Sequence, residues 1–277
     1  MSDTADFSDQ FPSRRDEVLI PRIVDVPWVD CAPAQLAAHP DSNPTPGQCA
    51  KILSTGTGGA TSLDGQLRMS TRITHVAPGA TDPFYTYHPC IEEMYSLSDS
   101  HLAPAGSYNF RPPGIVHGSG TPRFNDKGFT FFHRIGALDE DVFLRPPPEL
   151  DRDAYALTDE YRIWPVRHAS WYDANQAVWH DTETGPWRGT RHKWLSRNRL
   201  TGGGTLLLEV PPGWTGEGSQ AKGLVEEFVV HGDITAGGLH FSRWGYASRP
   251  AGRPAGDYLT SLGATVLCVW DYDELTD

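Results

Sequence analysis

Apolar residues in this chain fall into short runs separated by glycine and proline. Runs at Gln66 to Val76, Met94 to Leu97 and Gly128 to Ile135, and again at Thr205 to Val210, Glu227 to Val230 and Ala264 to Trp270, predict β-strands. Long stretches with helical period are hard to find. Regular short strands broken by turns predict a sandwich or a barrel.

The runs also repeat. Lys51-Ile-Leu-Ser-Thr-Gly-Thr-Gly-Gly-Ala-Thr resembles Lys193-Trp-Leu-Ser-Arg-Asn-Arg-Leu-Thr-Gly-Gly-Gly-Thr, and Trp28-Val-Asp is echoed by Trp171-Tyr-Asp. Ala77-Pro78-Gly79 matches Pro211-Pro212-Gly213, Glu92-Glu93 falls opposite Glu226-Glu227, and Arg111-Pro112-Pro113-Gly114 matches Arg249-Pro250-Ala251-Gly252. The pattern is that of a tandem duplication. Between the copies, Arg145-Pro-Pro-Pro-Glu149 reads as a linker, because a proline triplet cannot sit inside a sheet. The expected organisation is an arm over residues 1–27, disordered or laid across a neighbouring sheet, a first barrel over 28–150 and a second over 151–277.

Composition narrows the class of partner. The 277 residues include 28 Gly and 23 Pro, in keeping with a loop-rich β protein. A formal net charge of −12 argues against nucleic acid and anionic membrane surfaces as partners. The cluster Arg188, Arg191, His192, Lys193, Arg197 and Arg199 is a local exception, read as a solvated or subunit-facing surface. No apolar run is long enough to span a bilayer and the N-terminus has no apolar leader core, so a cytoplasmic location is expected. The four cysteines, Cys31, Cys49, Cys90 and Cys268, form no C-x-x-C pair and suit a reducing compartment. Cys90 reads as a small buried filler, with a redox-sensitive thiol as the alternative.

Candidate chemistry concentrates between His88 and His117. Two histidines and a carboxylate, Glu92 or Glu93, stand at metal-site spacing in strand-like sequence, so alternate side chains of neighbouring strands can meet inside a barrel. The two glutamates must point to opposite faces of a strand, and only one can face the histidines. The Pro112-Pro113-Gly114 turn removes backbone donors and fixes φ ahead of His117. Two imidazoles and one carboxylate with open positions form the ligand pattern of non-haem Fe(II) oxygenases, while Zn, Mn and Ni suit the same donors.

These residues carry a resemblance to a known family. Gly106-Ser-Tyr-Asn-Phe-Arg-Pro112-Pro-Gly114-Ile-Val-His117 fits the second motif of the cupin superfamily, G-x5-P-x-G-x2-H, at every fixed position. The first motif, G-x5-H-x-H-x3,4-E, fits in part: Gly79 opens the segment, His88 takes the place of the second histidine, and Thr86 replaces the first. The chain resembles a bicupin, and its first copy looks most like the ChrR-type cupins, a group that includes anti-sigma-factor domains and acetylacetone-cleaving dioxygenases. The resemblance implies an all-β fold of two tandem double-stranded β-helix (jelly-roll) barrels. It also implies one divalent metal ion per chain, Fe(II) favoured, held by His88, Glu92 and His117. His75 and His133 are candidates to replace the histidine missing at Thr86.

In the aligned second copy Thr86 maps to Gln220, His88 to Lys222 and His117 to Ala255, so that barrel is expected to be metal-free, with Lys222 and Glu226 forming a buried charge pair in place of the metal. Phe84, Tyr85, Tyr87, Tyr95, Tyr108 and Phe110 could line a substrate pocket or pack the core. Arg111 could anchor a carboxylate or enolate oxygen, or brace the turn that follows it. The function expected is a mononuclear dioxygenase acting on a small dicarbonyl or hydroxylated aromatic. A redox-neutral isomerase, cyclase or lyase is the first alternative, and a non-catalytic metal or ligand sensor the second. The expected partner is a small-molecule substrate, with a homodimer as a candidate assembly.

Overall fold

The structure is a computed structural model and describes residues 11–38, 47–56, 69–80, 86–88, 90–100, 103–112, 115–117, 127–136, 161–163, 171–198 and 201–275. The expected boundary near residue 150 and its proline linker, together with Phe84, Tyr85, Pro113, Gly114 and Arg199, lie outside the described residues. In chain order the strands are β1 (Val18–Ile20), β2 (Val29–Asp30), β3 (Gln48–Gly56), β4 (Met69–Val76), β5 (Glu92–Ser96), β6 (Ser107–Arg111), β7 (Phe129–Gly136), β8 (Tyr161–Ile163) and β9 (Tyr172–Asp173). They continue as β10 (His180–Asp181), β11 (Arg191–Asn198), β12 (Gly202–Val210), β13 (Thr215–Gly216), β14 (Val225–Gly232), β15 (Ile234–Ala236), β16 (Leu239–Phe241), β17 (Tyr246–Arg249), β18 (Tyr258–Leu259) and β19 (Ala264–Tyr272). All six expected strands are present. One α-helix, Cys31–Ala38, occurs among the described residues, and no helix there is long and apolar enough to cross a membrane.

The chain divides into two compact units. Within the first lies a seven-stranded antiparallel sheet in the order β2-β3-β4-β7-β5-β6-β9. Facing its inner side, Thr86 and His117 form an isolated antiparallel bridge. The second unit has an eight-stranded sheet, with β1-β17-β14-β19-β12-β11-β10 as its path and β8 paired to β11, and a four-stranded sheet β13-β18-β15-β16. Its lumen is closed by an apolar cluster that includes Leu206, Val225, Val229, Ala247, Val266, Cys268 and Trp270.

Strand pairing makes the duplication explicit and corrects its register. β7 pairs with β4 and β5 as β19 pairs with β12 and β14, and the hairpin β5–β6 has its counterpart in β14 and β17. Arg111 stands opposite Glu92 while Arg249 stands opposite Val225, so the equivalent of Glu92 is Val225 and that of Glu93 is Glu226. Matching the two Glu-Glu pairs residue for residue is therefore wrong by one position. The period of a strand is two residues, so that slip exchanges the faces of the sheet. A second correction concerns the tryptophans. The counterpart of Trp28 is Trp179: β2 and β10 each edge the equivalent sheet, and Lys51 and Lys193 lie over the Trp28 and Trp179 rings at 5.1 Å and 4.3 Å.

Trp171-Tyr-Asp instead introduces β9, which pairs with β6 in the first unit, whereas β1, leading into the first copy, pairs with β17 in the second. Residues 14–26 of the expected arm thus belong to the second unit. The basic cluster on β11 is partnered: Arg191 binds Glu209, Arg197 binds Asp273, His192 meets Thr182, and Lys193 is buried against Trp179.

The expected Lys222–Glu226 pair does not form. Lys222 is exposed, and its backbone N–H donates to Glu274 at 3.0 Å. Glu226 lies on the sheet face away from the lumen and accepts hydrogen bonds from Arg14 at 3.3 Å and from the Tyr246 hydroxyl at 2.5 Å. Breaking a buried pair from one side costs about 3–5 kcal/mol. Arg14→Met should therefore destabilise the protein by that order in denaturant titration. Lys222→Met should change stability by less than about 0.5 kcal/mol, as expected of an exposed side chain.

Candidate metal centre

Three donor atoms converge on the inner face of the first sheet. β5 presents Glu92 and Met94 inward, and Glu93 and Tyr95 to the other side, as strand alternation requires. His88 and His117 approach from the opposite wall, where Thr86 and His117 exchange backbone N–H···O bonds of 2.8 Å in each direction. The Nε2 atoms of His88 and His117 are 3.1 Å apart, and Glu92 Oε2 lies 3.8 Å from the first and 3.5 Å from the second. All three side chains are buried. Among the described residues this is the only group of three or more His, Cys, Asp or Glu side chains arranged to hold an ion.

The spacing suits one metal ion. With bonds near 2.1 Å, adjacent donors lie about 3.0 Å apart in an octahedron and about 3.4 Å apart in a tetrahedron, whereas trans donors lie about 4.2 Å apart. The three observed separations all fall below the trans value, so the three donors would hold such an ion from one side. Proton placement agrees. A carbonyl can only accept, so the 3.0 Å contact of His117 Nδ1 with the Ile115 carbonyl fixes the Nδ1–H tautomer and turns the Nε2 lone pair inward. Burial, reinforced by the Arg111 charge, holds the His117 pKa well below its ordinary value and keeps the ring neutral.

Glu92 is shared. Burial opposes its ionisation, yet the Arg111 charge and the His133 hydrogen bond outweigh that and hold its pKa well below the usual carboxylate range. Arg111 Nη1 donates to Oε2 at 2.5 Å and His133 Nε2 to Oε1 at 3.1 Å. The other nitrogen of His133 contacts Thr74 Oγ1 at 3.0 Å and receives Arg72 Nε at 3.4 Å. His133 thereby orients Glu92 and stands behind it. His75 is elsewhere, bonded through Nδ1 to Thr130 at 2.9 Å. Arg111 is seated by Glu92, its neighbour in strand register.

Glu93 faces the other side, where Tyr108 donates to it at 2.6 Å and Arg134 pairs with it. Tyr108 and Phe110 share that side by alternation on β6, so they pack away from the histidines. Cys90 is a buried filler between Met69 and Ile135, with the Gly136 N–H directed at its sulfur. The motif glycine Gly106 adopts a φ of +86°, and a Cβ there would meet the Asn175 amide at 2.6 Å, so the turn into β6 demands glycine.

Among the described residues of the second unit there is no such convergence. Val225 and Cys268 occupy the places of Glu92 and His133. Gln220 bridges Pro254 where Thr86 bridges His117, which moves the histidine's counterpart one residue from Ala255. Glu227 is neutralised in the lumen by Arg249 at 2.6 Å and by the Tyr258 hydroxyl at 2.8 Å.

No protein-family model matches the sequence, and no curated protein sequence matches it. Solved structures do. A proposed dioxygenase from Nostoc punctiforme PCC 73102 matches with a TM-score of 0.65 at 15% identity, over 95% of this chain and 81% of that one. A variant of salicylate 1,2-dioxygenase from Pseudoaminobacter salicylatoxidans matches at a TM-score of 0.50 and 12% identity, over 73% of this chain and 70% of its own. A variant of Bacillus subtilis oxalate decarboxylase gives 0.50 at 13% identity, over 84% and 76%. At such identities the likeness establishes the fold: an all-β chain of two tandem cupin barrels.

The shifts of His117 and Glu92 have the same sign. A folded-state pKa below the unfolded value contributes stability above the unfolded pKa, and that stability is lost as pH falls through the folded pKa. The loss should begin below the ordinary histidine value of 6.5 and deepen below the carboxylate value of 4.5. Metal-free protein should melt at a progressively lower temperature from pH 7 to pH 4, with the upper part of that slope removed in His117→Gln.

Proposed function

We propose that the first barrel is a mononuclear, metal-dependent dioxygenase site in which His88, Glu92 and His117 hold one Fe(II) ion per chain, and that its substrate is a small dicarbonyl or hydroxylated aromatic compound. The observation that carries the reading is the convergence of two imidazole nitrogens and one carboxylate oxygen on a single face, with separations of 3.1, 3.5 and 3.8 Å. Two histidines and one carboxylate with open positions are the donor set of non-haem Fe(II) oxygenases. The ChrR-like first copy and the names of two structural neighbours, one a proposed and one an established dioxygenase, point the same way.

When bound, such an ion supplies Lewis acidity, a template for a chelating substrate and a path for single electrons. The chain's own residues do the rest. The Ile115 carbonyl holds the His117 ring with its Nε2 lone pair inward. His133 and Arg111 hold both oxygens of Glu92 and keep the carboxylate ionised. Met94, Val76 and Phe131, part of one buried cluster, give the inner face an apolar wall that keeps water from an organic substrate. In the second barrel Val225, Cys268 and the Glu227–Arg249–Tyr258 cluster give it a packing role.

Protein purified without an affinity tag should contain one metal ion per chain, and a His88→Ala/His117→Ala double variant should contain none. Fe(II)-reconstituted protein should consume O2 with a dicarbonyl or dihydroxyaromatic substrate, and zinc-loaded protein should not. Lys222→Met should leave turnover unchanged. Equal turnover with zinc, or under strict anaerobiosis, would transfer the assignment to a redox-neutral isomerase, cyclase or lyase.

A further inference from the structure

The inner face of β6 carries Ser107, Asn109 and Arg111 at alternate positions, and all three bring polar atoms into the first barrel without a partner. Ser107 and Asn109 are each 1% exposed, and Ser107 Oγ, both amide atoms of Asn109 and Arg111 Nε are buried without a hydrogen bond among the described residues. The face follows from register: Arg111 stands opposite Glu92, and Asn109 stands opposite Met94, which in turn stands opposite His133. An unsatisfied buried polar group costs about 1–3 kcal/mol, so a row of them calls for a ligand or another explanation.

The second barrel shows what this strand becomes where there is no such site. Gly245 and Ala247 replace Ser107 and Asn109, while Arg249 is kept: its Nη1 is held by Glu227 and Tyr258, and its Nε, like that of Arg111, has no hydrogen bond among the described residues. The unpartnered Ser107 and Asn109 side chains therefore accompany the His88–Glu92–His117 centre, whereas the unpartnered arginine Nε is common to both barrels.

We infer that Ser107 and Asn109, further along the strand from the Glu92–Arg111 row, form a recognition rail for a carboxylate carried by the substrate, remote from the atoms that face the metal. This rests on the reading of the first barrel as a metal site. The Asn109 Nδ2 and Ser107 hydroxyl donors, which do not touch Glu92, can each donate to one oxygen of a carboxylate. Asn109 lies two residues along the strand from the row shared by Glu92 and Arg111, a step of about 6.7 Å. That step matches the width of a substituted benzene ring. Met94, opposite Asn109 in register, is buried in one apolar cluster with Phe131. The substrate class is an aromatic or similarly sized body with paired oxygens at one end and a carboxylate at the other.

Zinc-loaded protein, which binds without turnover, provides the test by calorimetry with 3,4-dihydroxybenzoate and with catechol, which lacks the carboxylate. Wild type should bind 3,4-dihydroxybenzoate at least tenfold tighter than catechol. Asn109→Leu and the isosteric Asn109→Asp should each erase that preference while leaving catechol affinity within about twofold. Because Ser107 and Asn109 lack partners, Ser107→Ala and Asn109→Leu should melt no lower than wild type, whereas residues serving only the fold would lower the melting point. No carboxylate preference in wild type, a preference retained in both Asn109 variants, or variants that melt lower with the preference intact would each overturn the rail. Zinc stoichiometry separates this failure from that of the metal reading: one zinc per chain without carboxylate preference defeats the rail alone, while no zinc bound defeats both.

Discussion

A residue in a β-strand can face only one side of its sheet, and on β5 this constraint gives two adjacent glutamates unrelated environments. Glu92 looks inward to two histidines, His133 and Arg111, while Glu93 looks outward to Tyr108 and Arg134. Each carboxylate is buried, and each is compensated on its own face, as burial of charge requires. Everything proposed about the first barrel follows from this division. Shift the strand by one residue and a glutamate bonded to tyrosine and arginine would face the histidines.

The two copies resolve the same architecture in opposite directions. In the second, Val225, Ala247, Cys268 and Trp270 join a large apolar cluster, and Glu227 is closed by Arg249 and Tyr258. The first retains polar atoms along its wall that hydrophobic residues would have removed at a gain in stability. A domain that keeps such groups sacrifices packing for binding, the usual relation between a site and its scaffold. The duplication supplies its own control, because strand order and pairing are shared and the side chains differ.

Much of this was legible in the sequence. Glycine and proline punctuation marks out the strands, and motif spacing singles out His88, Glu92 and His117, which the structure brings together. Two things were not. Pairing the Glu-Glu dipeptides by identity ignored the pleat, and the error hid that Glu226 answers to Glu93; its true partner, Arg14, lies 212 residues away, beyond the reach of local pattern. Ser107 and Asn109 occupy variable positions of the motif, which therefore gives them no weight. Their signal was the alternation Ser-x-Asn-x-Arg on a strand whose last member meets Glu92, visible once strand register is considered along with motif spacing.

The exchange of leading strands has a consequence for how this protein is made. β1 precedes the first copy yet pairs with β17, and β9 precedes the second copy yet pairs with β6. Neither sheet is completed by its own lead-in segment. A ribosome that has finished the first copy has therefore produced a barrel still missing an edge and a strand with no sheet to join. Contacts closed across most of the chain's length are slow to form, and unpaired edges invite association meanwhile. The duplication is thus bound into one folding unit, and an ancestor with a single copy would have needed a second chain to lend it that strand.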